Sequence, residues 1–189
     1  MQIKKDDIRS NILITAERLF LKRGYNETSL KMISERCNIS KSNIYRYFSS
    51  KEEIYDTIIT PARVDIMDSA PFFYSQEYMS KDIEEKCSEL SAVLARLFYD
   101  HHSRILIMLR EAGRPDRKLL EDLIIRNFID TCPLEDESIK RLISSVLIFG
   151  LTDILLDNTD EQSIKKKLKA LIYYHYLGLN GIKERSPKR

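Results

Sequence analysis

The side chains best suited to chemistry crowd into positions 41–51: Lys41, Ser42, Asn43, Tyr45, Arg46, Tyr47 and Lys51. They include no acid/base pair and no activated nucleophile. Lys, Arg and Asn are the side chains that reach DNA base edges or phosphates, and Ser and Tyr hydroxyls can serve either. On a helix these residues point away from the apolar pair Ile44 and Phe48, which leaves a hydrogen-bonding face free for a groove. Lys51 follows Ser50 at a helix start, where unsatisfied backbone N–H groups already favour a phosphate. A plainer reading stays open on these residues alone. Tyr45 and Tyr47 could pack against neighbouring helices, and Lys51 could be a solvated helix start.

Other candidate chemistry is thin. Asp100-His101-His102 has metal-ligating types, but adjacent residues on a helix face apart and cannot easily share one ion. Cys37, Cys87 and Cys132 are odd in number and form no CxxC pair, which argues against a disulfide framework or zinc finger and for a reducing compartment. Lys165-Lys166-Lys167 reads as a solvated helix face. No Gly-rich phosphate loop, nucleophile elbow or paired-His motif supports a small helical enzyme. No metal or cofactor is expected.

The elements that position the basic face are helices throughout, with no alternating strand. Ile8, Ile12, Ala16, Leu19 and Phe20 lie on one face of a first helix, and Gly24 is a natural left-handed stop. A short helix over 29–37 carries Leu30, Ile33 and Cys37 inward. Asn38 can take the left-handed conformation, and Ser40 can cap a helix over 41–48. Three residues between two short helices is the spacing of a helix-turn-helix, whose second helix enters the major groove. Ser50-Lys51-Glu52-Glu53 is a capping-box pattern opening a fourth helix, which Pro61 is expected to kink or shorten. Residues 69–80 lack a period and read as a connection. Ser80 is expected to cap a long helix to about residue 99. Two shorter helices follow, divided at Gly113-Arg114-Pro115 and ended by Cys132-Pro133. The last two helices cover about 137–156 and, from a capping box at Thr159 and Gln162, about 162–179. The fold class is all-α, with about nine helices.

Residues 8–54 resemble the DNA-binding domain of the tetracycline-repressor-like (TetR) family of bacterial transcription regulators. The likeness rests on Ala16, Leu19-Phe20, Gly24-Tyr25, Thr28-Ser29, Ile33, Cys37-Asn38-Ile39-Ser40-Lys41, Ile44-Tyr45-Arg46-Tyr47-Phe48 and Ser50-Lys51-Glu52-Glu53-Ile54. The family's usual Ala-Gly-Val-Ser reads Cys37-Asn38-Ile39-Ser40 here, and each swap keeps its physical role. The resemblance implies that Thr28, Tyr47 and Lys51 hold phosphates. It places Lys41, Ser42, Asn43, Tyr45 and Arg46 over or beside base edges. It also implies a domain over 1–66 (motif 29–48), an effector-binding and dimerisation domain over 67–182, and a basic tail at 183–189. The expected activity is ligand-responsive regulation, as a repressor, of a palindromic double-stranded operator bound by a homodimer. A diverged adaptor without effector is the alternative.

By the same analogy, an apolar or aromatic effector would sit among the middle helices, lined by Phe98, Tyr99, His102, Met108, Phe128 and Phe149. Between Leu142 and Leu156 the chain is apolar almost all round, so that helix must be covered on every side. With a matching stripe on the last helix, this predicts a dimer face of Ile143, Leu147, Leu151, Leu168, Ile172 and His175. The 189 residues carry a net charge of +2, which by itself argues against nucleic acid. That sum hides a division. Residues 1–51 hold 11 basic and 5 acidic side chains, whereas 52–182 hold 16 and 23. The N-terminus lacks a signal peptide's apolar core and no apolar run approaches a membrane span, so a cytoplasmic protein is expected.

Overall fold

In the computed structural model, residues 5–111, 113–124, 136–157 and 160–185 are described. Ten α-helices and one 3-10 turn occupy them, with no strand among the described residues. The first four are α1 (Lys5–Arg23), α2 (Leu30–Arg36), α3 (Lys41–Ile44) and α4 (Lys51–Ser69). After a 3-10 turn (Ala70–Tyr74) come α5 (Gln76–Ser80), α6 (Ile83–Asp100), α7 (His102–Arg110) and α8 (Pro115–Ile124). The chain closes with α9 (Glu137–Asp157) and α10 (Glu161–Arg185).

Local chemistry explains most boundaries. Gly24 adopts φ +87 and returns its N–H to Phe20 O, ending α1 in the left-handed conformation that a Cβ disfavours. Ser29 and Ser40 accept from the Met32 and Asn43 amides, capping α2 and α3. Each such cap is worth about 1 kcal/mol. Asn38, at φ 54, makes the turn between them. Ser50 caps α4 through the Glu53 amide, but the expected capping box closes one residue early: Glu53 accepts from the N–H and hydroxyl of Ser49. Pro61 does not shorten α4, which runs through it to Ser69.

Three expectations are corrected. The stretch 69–80, read as an aperiodic connection, contains the 3-10 turn and α5, the latter capped by Ser75, so the described residues hold ten α-helices. The cap of α6 is Asp82, paired with Glu85 in a full capping box, and not Ser80, whose hydroxyl donates back to Glu77 O inside α5. α10 extends beyond 179 to Arg185, and the amide of Ser163 is capped by Asp160. Thr159 and the Cys132-Pro133 stop lie outside the described residues.

The N-terminal four helices share a tight core in which Ile12, Ala16, Phe20, Ile33, Ile44, Phe48, Ile54 and Tyr55 are all buried. α7 is the spine of the molecule, packing on α1 and α4 on one side and on α9 on the other. α6 lies along α10 in the most extensive helix pair. Among the described helices none is long and apolar enough to cross a membrane.

Candidate nucleic-acid interface and the helical body

Two buried anchors set the orientation of the basic face. Ile44 and Phe48 are fully covered, and the Arg9 guanidinium lies 5.0 Å from the centre of the Phe48 ring. α3 is α-helical only over Lys41–Ile44. It then tightens, because the Arg46 and Tyr47 amides bond the carbonyls three residues back, at Asn43 and Ile44. The result is a short rod that presents Lys41, Ser42, Tyr45 and Arg46 to solvent. Tyr45 is 51% exposed, with Lys41 Nζ 5.8 Å from its ring centre. Arg46 has no ion pair or side-chain hydrogen bond among the described residues, so its five donors are free for a ligand. Asn43 and Tyr47 are half-buried, and Tyr47 packs on the core. Of the two plain packing roles left open for the tyrosines, Tyr47 takes one in part and Tyr45 does not.

Thr28 and Lys51 look inward. Thr28 is buried, and its hydroxyl donates to Gly24 O at 2.8 Å. The donor expected to hold a phosphate is thus engaged within the loop in this structure. Lys51 Nζ donates to Tyr25 O and Thr28 O, both at 2.8 Å, and lies 3.9 Å from the centre of the Tyr25 ring. Burial, and then the nearby Arg114 guanidinium, pull the Lys51 ammonium below its ordinary pKa. Lys51 is therefore a staple for the α1–α2 loop, whose third donor is left for an anion. The loop residue Tyr25 is itself the centre of a cluster that sequence reasoning missed. Its ring packs on Phe20 and Tyr55 and its hydroxyl donates to Glu52 at 2.5 Å.

Arg114 stacks on both tyrosines, 4.1 Å from the Tyr25 ring centre and 3.9 Å from that of Tyr55, and bonds Glu52 at 2.5 Å. The Arg114-Pro115 helix start was visible in the sequence, but nothing local says which surface it meets.

In the body, the apolar cavity lies between α4, α6, α7, α8, α9 and α10. Its volume is about 90 Å³, and Ile66, Leu94, Phe98, Leu120, Leu123 and Leu147 are among its walls. Its one hydroxyl, on Ser69, is already bonded to the Asp65 and Ile66 carbonyls. Of the six residues expected to line a pocket, Phe98 does. Met108 is buried elsewhere, Tyr99 is exposed, and Phe149 is 74% exposed on the opposite side of α9. His102 bonds Leu155 O at 2.7 Å, whereas neighbouring His101 bonds Asp65 at 2.7 Å, so the two histidines face different partners. Phe128 lies outside the described residues.

The expected dimer face is also corrected. Leu147, Leu151, Leu168, Ile172 and His175 are buried inside the subunit, and Ile143 is half-buried. Core packing against α6 and α7 takes that side of both helices. The apolar side left open carries Leu142, Val146, Phe149 and Leu156 on α9, with Tyr174 and Leu177 on α10.

Comparison with known proteins agrees with this division. Residues 12–58 match the sequence profile of the bacterial regulatory proteins of the tetR family. The HTH-type transcriptional activator FasR of Mycolicibacterium smegmatis is 34% identical over 58 residues, which is 31% of this chain and 26% of that protein. An HTH-type transcriptional regulator of Haemophilus influenzae is 25% identical over 105 residues, 51% of this chain and 56% of its own. The match thus spans a quarter to about half the length of these curated relatives. Fold likeness reaches further. A TetR-family transcriptional regulator of Bordetella parapertussis superposes with a TM-score of 0.60 at 18% identity, covering 92% of this chain and 98% of that one. Residues 12–58 thus carry the helix-turn-helix profile of the tetR family of bacterial regulatory proteins, and the helical body shares the fold of solved tetR-family regulators.

Proposed function

We propose that the protein is a dimeric, ligand-responsive transcriptional regulator that binds a palindromic DNA operator and is released from it by a small apolar effector. The observation that carries this reading is the free face of Lys41, Ser42, Tyr45 and Arg46, held out by the buried Ile44–Phe48 anchor. Arg46 and Tyr45 supply base-edge contacts, Lys41 and the remaining donor of Lys51 supply phosphate contacts, and half-buried Asn43 and Tyr47 contribute at the edges of the groove. Tight α3 geometry keeps the donors in register.

The family fold and the open stripe on α9 and α10 support a second copy of the chain as partner. Leu142, Val146, Phe149 and Leu156 recur at spacings of four, three and seven, one face of a helix that a lone subunit leaves wet. A two-fold dimer matches a two-fold operator. The cavity supports a neutral hydrocarbon or aryl effector, because its walls offer no charge and no free hydrogen-bonding group. An effector that favours a different relation between head and body shifts the pair of heads out of operator spacing.

Selection of bound duplexes from a random pool, followed by gel shift across a salt series, tests the reading. Sub-micromolar binding that weakens steeply with salt is expected. Arg46→Ala should lose about 1–3 kcal/mol and relax discrimination at one position of each half-site. Absence of DNA binding at low salt, or a silent Arg46→Ala, sinks the assignment of α3. Phe149→Glu should yield monomers by light scattering with loss of operator affinity, and an intact dimer refutes the proposed face.

A further inference from the structure

The first half of α10 carries a charge pattern that neither the core nor the DNA-reading face uses. Of the 16 basic side chains in residues 52–182, four fall within 165–169: Lys165, Lys166, Lys167 and Lys169. The surrounding chain is acidic, with 23 carboxylates over the same span. Like charges three and four positions apart, as at Lys166–Lys169 and Lys165–Lys169, work against a helix. Neighbouring acids do not neutralise the cluster. Lys167 lies 4.0 Å from Asp157 and Lys169 lies 3.4 Å from Glu84, both pairs loose and open to solvent. Lys165 and Lys166 are exposed and have no acidic partner among the described residues.

Helical period sorts these side chains. Ile164, Leu168 and Ile172 face the core. Gln162, Lys165, Lys166, Lys169 and Tyr173 follow at i, i+3, i+4, i+7 and i+11, so they share another face, and Lys167 falls off it. With Glu84 they line a groove of about 650 Å³ between α10 and the start of α6. That volume is in the range of small-molecule sites, whereas the apolar cavity of the body is far smaller. The open apolar stripe runs along a different side of α10, between it and α9. A second copy seated on that stripe therefore leaves the groove reachable.

The groove has two unlike ends. Tyr173, 40% exposed, offers a ring. Lys169 is one turn away along the helix, about 6 Å, and Lys166 and Lys165 are about 10 and 12 Å away, at the usual rise per residue. A ring with three ammonium groups strung away from it fits an aryl group joined to a chain of phosphates. A singly charged carboxylate would leave most of the cluster uncompensated, since three lysines face one Glu84. Ammonium groups bind phosphate as point charges, and exposed aromatic rings stack nucleobases. We infer that the α6–α10 groove binds a nucleoside di- or triphosphate, its base on Tyr173 and its phosphates on Lys165, Lys166 and Lys169. Gln162, one turn beyond Lys166, adds an amide donor at the phosphate end. The ligand takes Lys169 from Glu84 at little loss, because an exposed ion pair is weak. This site is apart from the apolar cavity and from α3, so it rests on neither of those readings.

Isothermal titration of the full chain with ATP, and separately with inorganic tripolyphosphate, tests the site at low salt without magnesium. One ATP per subunit should bind with a sub-millimolar dissociation constant. Tyr173→Leu should weaken ATP about five-fold or more through lost stacking and leave tripolyphosphate unchanged. The double variant Lys165→Gln/Lys166→Gln should weaken both ligands about ten-fold. Glu84→Gln, which removes the opposing carboxylate, should tighten both about two-fold. All four positions are exposed, so the variants keep the fold. Absence of saturable ATP binding by the wild type overturns the inference. So does ATP binding that the double lysine variant retains and a DNA duplex displaces, which puts the nucleotide on the basic face of the head. If Tyr173→Leu weakens ATP and tripolyphosphate alike, or neither, the groove is a general polyanion patch and the nucleotide assignment falls.

Discussion

The head and the body bury similar side chains to different ends. In the head, Ile12, Ile33, Ile44, Phe48 and Ile54 meet where the short, capped α2 and α3 pack against the longer α1 and α4. In the body, helices meet around leucines and leave a cavity of about 90 Å³ between α4 and α6 to α10. A tight core keeps Lys41, Ser42, Tyr45 and Arg46 in one geometry, as a reading surface requires. A core with spare apolar volume has a second arrangement within reach, as a sensor requires. Rigidity and slack are thus assigned to different ends of one chain.

Truncation tests this contrast at its strongest. Ile44→Ala should lower unfolding free energy by about 2–5 kcal/mol, because the fully packed head cannot collapse around the void. Leu123→Ala, on a half-buried wall that is already next to space, should cost less than the head truncation and should tighten binding of an apolar probe. Equal losses at the two positions in chemical denaturation would break the contrast between head and body.

Backbone strain comes next in size. Gly24→Ala forces a Cβ into φ +87 and to within 2.5 Å of Glu111 Oε1, so about 1–2 kcal/mol of destabilisation is expected. Because Glu111 must swing away, exchange at Tyr25 should rise more than at α4 amides. Uniform acceleration would instead mark global loosening of the head.

The smallest effect should be that of acid on the junction. Hydrogen bonding from Arg114, and then from Tyr25, holds the Glu52 carboxyl below the ordinary glutamate value. A group with a lowered folded pKa contributes fully above the unfolded value of about 4.3, and that contribution is lost as pH falls through the lowered one. The difference in melting temperature between wild type and Glu52→Gln should therefore be small at neutral pH, since Glu52 is half exposed, and should close below about pH 4. A difference that persists in acid would separate Glu52 from the Arg114 interaction.

How much was legible beforehand follows the same division. In the head, Gly24, Ser29, Asn38, Ser40 and Ser50 each act on backbone groups within four residues, so their roles could be read along the chain. Ile44 and Phe48 were marked as anchors by spacing alone. The loop bonds of Thr28 and Lys51 were not legible, because their partners are carbonyls of a folded loop and a sequence contains no signal for a carbonyl's direction. The contact between Tyr25 and Glu111 was invisible for a similar reason, since the two are 86 positions apart.

Sequence by itself determined most of the helices, the caps of α2, α3 and α4, the helix-turn-helix frame and the free basic face, because each depends on short-range bonding or on periodic apolar spacing. Tertiary structure alone decided which side of α9 and α10 faces the core. A helix apolar all round has no phase to read, and only the packing of α6 and α7 against Leu147, Leu151, Leu168 and Ile172 left Leu142, Phe149 and Tyr174 outside.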